Sequence, residues 1–493
     1  MIRVCVALSV CLGGIVNAQE DILEDIRHSL HPNMTHQYDE IPPSVDSFSD
    51  WFTEGDFYGR LRFNSFGFKW KEELEINGID VRKDHAIAAI GGSLIYHSAY
   101  LNGFFFGGGL YATTSQGTLK REEAYLYKAG KDTFSRYDRL TDGTVGILSL
   151  AEAYMAYKVE HTEFKAGRQI FESFLTKSND TKMIPNTFEG LTMVSRDLPH
   201  TVLKAAYLTK QKLRDHSEFH HIFAYGYEEG VPYSAYTEND DSMMHVGITR
   251  MKLEERGIDD RLVIVDLKNT GVENLTLSAN YTAVPELLSS AMMQVDYAFE
   301  AGEWHIIPSV RYMQQFDNGA GEIGGASRKG VTVGYRDPKS LDSWLLGVRV
   351  DVVQENLKFR AAYTRVADEG DIIAPWRGFP TGGFTRAMGQ YNWYANTKTF
   401  MFQVDYETQD FYNIRTVARF ALQDFDDNKA AVQADSNVFT LDIMQGFDGT
   451  LNIYTKLRYA HVMGKDDTPI PGTGLFKTDP SYDEVRLEIN YLF

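Results

Sequence analysis

The chain ends in Asp483 to Phe493, a stretch that alternates with period 2. Val485, Leu487, Ile489, Tyr491 and Phe493 fall on one face of an extended strand. Glu484, Arg486, Glu488 and Asn490 fall on the other, with Leu492 the single exception. Successive strand side chains point to opposite sides, so this terminus needs an apolar medium on one side and a wet one on the other. A strand buried in a soluble core does not close the chain with an aromatic residue and a charged opposite face. A strand held between lipid and water does.

The start of the chain has the layout of an export leader. Arg3 supplies a positive region, Val4 to Val16 an apolar one, and Val16-Asn17-Ala18 a small-x-small site, which predicts cleavage after Ala18. Both cysteines, Cys5 and Cys11, lie inside this leader, so the mature chain has none. That excludes a disulfide scaffold, thiolate metal sites and cysteine nucleophiles. Val10 is too bulky for the residue before a lipidated Cys11.

Beyond the leader there is no apolar run of eighteen residues, and mean hydropathy is −0.32, which rules out membrane-spanning helices. A barrel survives that test, because only alternate residues of its strands are apolar. Aromatic residues make up 13% of the chain, enough for two interfacial girdles. The net charge of −19 argues against nucleic acid as a partner. Acidic runs at Glu238 to Asp241 and Asp424 to Asp427 read as solvated outer loops; divalent cations bridging them to lipopolysaccharide is the alternative.

Residues 19–50 are polar, carry Pro42-Pro43 and show no clear period. They read as a periplasmic N-terminal segment or a small lumen plug. From Trp51 on, period-2 segments recur. Leu275, Leu277, Ala279 and Tyr281 oppose Thr276, Ser278 and Asn280; Met293, Val295, Tyr297 and Phe299 oppose Gln294, Asp296 and Glu300. Phe400, Phe402, Val404 and Tyr406 oppose Thr399, Gln403 and Asp405, and Leu451, Ile453, Leu457 and Tyr459 oppose Asn452, Lys456 and Arg458. A soluble sandwich alternates too; the leader and the terminal Phe decide for the membrane. The fold predicted is all-β, a transmembrane antiparallel β-barrel over residues 51–493. Roughly 25 residues per strand and loop gives about 18 strands, give or take two.

Two stretches go beyond class. One runs Ala166-Gly167-Arg168-Gln169 and then Asn179-Asp180-Thr181-Lys182-Met183-Ile184-Pro185-Asn186-Thr187-Phe188-Glu189-Gly190. The other runs Pro375-Trp376-Arg377-Gly378-Phe379-Pro380 and then Phe384-Thr385-Arg386-Ala387-Met388-Gly389-Gln390-Tyr391. From about Gly59 to Phe493 the chain resembles the OprD family of outer-membrane porins, particularly its branch in Campylobacter and Helicobacter relatives. The terminal Phe is similar to the outer-membrane barrel signature that the assembly machinery reads. The resemblance implies a monomeric 18-stranded barrel in the Gram-negative outer membrane, passing small anionic or zwitterionic solutes without catalysis or cofactor. It implies a constriction loop, about residues 168–198, folded into the lumen, with Asn179, Asp180, Lys182, Pro185, Asn186, Phe188 and Glu189 in the eyelet. Lys182 stands where relatives often carry Arg, so a fork becomes a point charge. Thr381-Gly382-Gly383 is a local departure.

Alternation also sorts the charges. Basic side chains on the lipid face at mid-depth cost about 2–4 kcal/mol each, so those at strand centres point inward. The family's channels are known for a basic ladder along one wall; the candidates are Arg60, Arg62, Arg349, Arg360, Arg415, Arg458 and Arg486. Guanidinium stays charged and grips carboxylate through two parallel hydrogen bonds. Lys358, Arg419 and Lys456 share that face. The competing reading is a brace, with these arginines paired to Asp351, Asp405, Glu407, Glu484 and Glu488.

Other signals are weaker. His216, His220 and His221 read as loop histidines whose spacing does not converge on a metal. Gly107-Gly108-Gly109 reads as a strand kink. There is no G-x-S-x-G or H-E-x-x-H motif, so no catalytic, metal or cofactor residue is expected. The rival functions are a secreted β-rich adhesion or binding protein and an outer-membrane barrel hydrolase.

Overall fold

The computed structural model describes residues 42–178, 183–223, 244–388, 391–408, 414–447, 453–477 and 479–493. Eighteen antiparallel strands form the wall. They are β1 (Asp56–Trp70), β2 (His85–His97), β3 (Phe104–Gly117), β4 (Gly146–Val159), β5 (Thr162–Gln169) and β6 (Thr187–Ser195). Next come β7 (Thr201–Lys212), β8 (Leu262–Val272), β9 (Leu275–Val284), β10 (Leu288–Tyr297), β11 (Trp304–Asp317) and β12 (Ser343–Gln354). The last six are β13 (Leu357–Val366), β14 (Lys398–Thr408), β15 (Ile414–Asp424), β16 (Ser436–Phe447), β17 (Ile453–Gly464) and β18 (Tyr482–Leu492). Each strand pairs with its neighbour in sequence, and β18 pairs with β1 from Arg60↔Leu492 to Trp70↔Tyr482. The sheet is thereby closed and has no unpaired edge, which is what a strand structure in lipid requires.

Burial is inverted relative to a soluble domain. On β14, Phe400 and Phe402 are 51% and 56% exposed, while Thr399, Gln403 and Asp405 between them are buried. On β18, Val485, Leu487, Ile489 and Tyr491 are exposed, and Glu484, Glu488 and Asn490 are buried. Leu492 breaks the alternation because it faces inward, in a small apolar cluster with Ile95, Tyr111 and Met183. At Gly109/Leu110 the register with β4 shifts, so the glycine run does sit at a bulge.

Connections alternate in length, with the three-residue turn 285–287 the exception at the long-loop end. Residues 160–161, 273–274 and 355–356 are tight turns, whereas 118–145, 213–261, 318–342 and 367–397 are long. Outer-membrane barrels keep short turns on the periplasmic side and long loops outside, and β1 begins and β18 ends at the short-turn end.

The lead-in is longer than the sequence suggested. Trp51 lies in a helix, Phe48–Thr53, begun where the Ser47 hydroxyl accepts from the Asp50 N–H at 3.0 Å. The barrel therefore starts at Asp56. Phe48, Trp51 and Phe52 form an i, i+3, i+4 stripe. Trp51 and Phe52 pack on Phe106, on the lipid-facing side of β3, and the Trp51 indole donates to the Phe104 carbonyl. The helix thus packs on the outside of the wall, while Ser44–Val45 pair with Tyr100–Leu101 in the turn between β2 and β3. Residues 1–41, with the predicted leader, fall outside the described residues.

Candidate functional site

The inward face of β10 to β17 carries a ribbon of charge. Asp351 takes two hydrogen bonds from the Arg360 guanidinium, at 2.6 and 2.7 Å, and an ion pair from Arg349 at 3.5 Å. Arg349 also donates to Asp296 at 2.8 Å. Asp405 lies 2.8 Å from Lys358 and 3.3 Å from Arg415. Asp442 lies 3.1 Å from Arg419 and 2.8 Å from Arg458. Asp351, Asp405 and Asp442 are each shared by two cations, so basic groups outnumber carboxylates in this ribbon. The ladder and brace readings are thus not exclusive: each rung of this ribbon is braced, and Glu273, Glu355 and Glu407 add further acid to the lining of the cavity below.

The ribbon lines a cavity of about 970 Å³ at the short-turn end of the lumen, bounded by Arg349, Arg360, Arg415, Asp351 and Asp405, with Asn274 and Asn356 of the tight turns at its mouth. The long-loop end is built differently. Phe171 and Leu175 of residues 170–186, Ile222 and Leu253 of 213–261, Leu341 of 318–342, and Trp376 and Trp393 of 367–397 pack into one apolar core against Phe188, Leu208 and Leu345 of the wall.

The two motifs singled out in the sequence touch here. Thr176 and Arg377 form an antiparallel bridge, the Lys177 N–H donates to the Trp376 carbonyl at 3.1 Å, and the Gly378 N–H to the Leu175 carbonyl at 2.9 Å. A Cβ on Gly378 would stand 2.2 Å from the Leu175 backbone, so only glycine permits this approach. The Trp376 indole donates to the Ile222 carbonyl at 2.8 Å, tying in a third loop.

Three arginines clamp the same loop to the wall. Arg349 and Arg360 both donate to the Gly383 carbonyl, at 2.9 and 2.8 Å. Arg311 donates to the carbonyls of Pro380 and Gly382, at 2.9 and 2.7 Å, and lies between the rings of Phe174 and Phe384. Gly383 has φ +77°, a conformation that disfavours side chains. The Thr381-Gly382-Gly383 departure therefore supplies the carbonyls that these guanidiniums hold.

The remaining candidates divide. Arg60 and Arg62 are buried on the inner face of β1, where Arg62 donates to Asn490 at 2.9 Å across the barrel seam. Arg486 pairs with Glu484 on β18. Asn179, Asp180 and Lys182 lie outside the described residues. Pro185 and Asn186 are buried in the connection 170–186.

Phe188 and Glu189 require correction: pairing with β5 and β7 begins at Thr187, so both belong to the wall. Phe188 points into the apolar core. Glu189 shares its face with lipid-exposed Leu191 and meets Arg168 at 2.8 Å and Lys210 at 3.5 Å. The expected loop of about 168–198 thus contracts to 170–186.

The histidines also differ from expectation. A bridge between Gln211 and His220 folds the chain back, and His216 Nδ1 lies 2.7 Å from His220 Nε2. Among the described residues no group of three or more His, Cys, Asp or Glu converges for a metal ion.

Arg311, Asp296 and Asp442 were missed as site residues. Their alternation with Val310, Val295 and Leu441 was visible, but the carbonyl and ion-pair partners were not.

A closed barrel with an apolar outside and a charged inside defines an outer-membrane channel protein. The model of the outer membrane porin, OprD family, matches residues 147–411, more than half of the chain, and the chain belongs to that family. Among solved structures it is similar to Pseudomonas aeruginosa OccK9 (OpdG), with TM-score 0.66, 15% identity, and 90% of this chain and 99% of that one covered. It is similar also to Acinetobacter baumannii OccAB3, with TM-score 0.65, 14% identity and coverage of 89% and 99%. Pseudomonas aeruginosa OpdK, solved with vanillate, gives TM-score 0.62, 13% identity and coverage of 89% and 98%. No curated protein sequence matches the chain.

Proposed function

We propose that this porin passes small, water-soluble, carboxylate-bearing solutes (amino acids, organic acids or short peptides) passively down their gradients. One observation carries the reading: three carboxylates on the lumen wall each hold two basic side chains, so a solute carboxylate finds a cation already oriented and only partly neutralised. Several weak stations suit transport better than one deep site, because the solute must leave as readily as it enters. The solution of OpdK with vanillate points the same way.

The segment 170–186, held by the loop 367–397, narrows the passage in this reading. A leader ending at Ala18 is removed on export, the segment to residue 50 stays periplasmic, and the barrel works as a monomer of the Campylobacter and Helicobacter type.

Single-channel conductance in a planar bilayer tests it. Discrete ohmic steps partly blocked by vanillate or another small carboxylate, and less so at high salt, are expected. Steps indifferent to carboxylates refute the preference while leaving the pore. No steps from a folded, heat-modifiable barrel refute the open channel.

A further inference from the structure

Outward-facing basic residues at the long-loop rim mostly meet an acid directly across the sheet. Arg168 stands opposite Glu189, and Lys69 opposite Asp483. One residue breaks the pattern. Arg365, near the end of β13, is in register with Lys398, the first residue of β14. Both share the face of lipid-exposed Phe359, Phe400 and Phe402. Like charges directly opposite in a sheet repel.

On its other side Lys398 stands directly opposite Asp424 of β15 and pairs with it at 3.0 Å, and that carboxylate is 59% exposed. Arg365 has none of that kind. Its guanidinium lies 5.8 Å from the centroid of outward-facing Trp344, and among the described residues no carboxylate reaches it.

Depth points to the missing partner. Eight residues separate the Arg365–Lys398 row from the Leu357–Tyr406 row at the other end of these strands. At about 3.4 Å per residue and a tilt of about 40°, that is roughly 20 Å along the membrane normal. Exposed Tyr406 marks one interface, so the cation pair lies at the other, at the headgroup level of the outer leaflet. Below it the rings of Tyr363 and Phe400 touch at 4.5 Å, and Phe402 and Phe359 continue the apolar stripe toward mid-membrane.

We infer that Arg365 and Lys398 form a binding site for the phosphate group of an outer-leaflet lipid, whose acyl chains lie along the Tyr363–Phe400–Phe402 stripe. The phosphate accepts from the guanidinium fork and the ammonium together, which turns a repulsive pair into two charge-assisted hydrogen bonds. The Trp344 ring under the guanidinium carbon, a cation–π arrangement, does not occupy its N–H donors. The lipid is the source of the phosphate because continuity of the site with the apolar stripe gives a tethered headgroup an advantage that a free ion lacks.

Native mass spectrometry of the full-length, detergent-purified porin tests this. The probes are bis-phosphorylated lipid A, the same lipid with its phosphates removed, and inorganic phosphate; the variants are R365Q and R365Q/K398Q. Wild type should retain the phosphorylated lipid at least about tenfold more strongly than the dephosphorylated one, which can make neither of the two charge-assisted hydrogen bonds. The double variant should lose that preference while keeping wild-type conductance and heat-modifiability, since both residues face away from the lumen. R365Q alone serves if the double variant does not assemble. The site is overturned if wild type shows no preference, if the variant keeps it, or if millimolar inorganic phosphate displaces the lipid.

Discussion

The two ends of the lumen solve different problems with different chemistry. At the long-loop end, four loops bury Trp376, Trp393, Phe171 and Leu253 in a dry core between the strands. At the short-turn end, Arg349, Arg360, Arg415 and their shared carboxylates face a cavity of about 970 Å³. In the proposed function, packing at the first end sets what size can pass, because close-packed side chains have few alternative arrangements. In the same proposal, charge at the second end sets what sign is preferred, and in a wet cavity each ion pair is worth little by itself. The clamp of Arg311, Arg349 and Arg360 on the carbonyls of Pro380, Gly382 and Gly383 joins the two ends, so the two proposed filters share residues.

The largest effect should come from the dry end. Trp376→Ala removes a buried indole and its hydrogen bond to the Ile222 carbonyl, at a cost of about 3–5 kcal/mol to the loop core. Single-channel conductance should rise as the loops loosen, while the wall keeps its heat-modifiability. Unchanged conductance would mean that the loops do not limit the passage.

Acid should loosen the same end next. His245, in the loop 244–261, is held at about 4 by burial, with its Nε2 donating to the Gly325 carbonyl and its Nδ1 accepting from the Gly247 N–H. That arrangement needs the neutral ring. The unfolded histidine titrates near 6.5, so the unfolded loop takes up a proton that the folded loop refuses. Stability is therefore complete above about pH 6.5 and falls as pH drops toward about 4, by at most about 3 kcal/mol. Loop hydrogen exchange measured from pH 7 to 4 should accelerate, and His245→Gln should flatten the profile.

At the wet end the sign of the effect is informative. Asp351→Asn leaves Arg349 and Arg360 without their shared acid, and carboxylate block should tighten by up to about tenfold. Arg360→Ala removes a cation and one hold on Gly383, and should weaken block and slow carboxylate uptake with the barrel still folded. Both variants moving block the same way would reduce the ribbon to a brace.

Arg415→Ala should give the smallest change, in the same direction as Arg360→Ala. Its side chain is 41% exposed and makes one contact with Asp405, at 3.3 Å. Uptake unaffected by either arginine substitution would end the case for a basic wall.

How much of this was legible beforehand follows from which contacts are local. Alternation is a property of neighbouring residues, so the lipid face of β14, the inward turn of Arg349 and Arg360, and the barrel class could be read from the chain. The seam could not be located in detail, because Arg62 meets Asn490 from the far end of the sequence. Trp51 and Glu189 were misassigned for a related reason. A helix cap at Ser47 and an early start of pairing at Thr187 each moved a boundary by a few residues, and in a strand a boundary decides which medium a side chain meets.

Period-2 patterning, read together with the predicted leader and the terminal Phe, thus gave the barrel class, its two faces and the side on which the charges lie, since side-chain direction along a strand follows from backbone geometry. Tertiary structure settled which carboxylate each arginine shares, which loops fold inward, and why Gly378 and Gly383 stand where they do. Those outcomes rest on approaches between segments far apart in the chain, such as Thr176 with Arg377, and no local pattern encodes the distance between them.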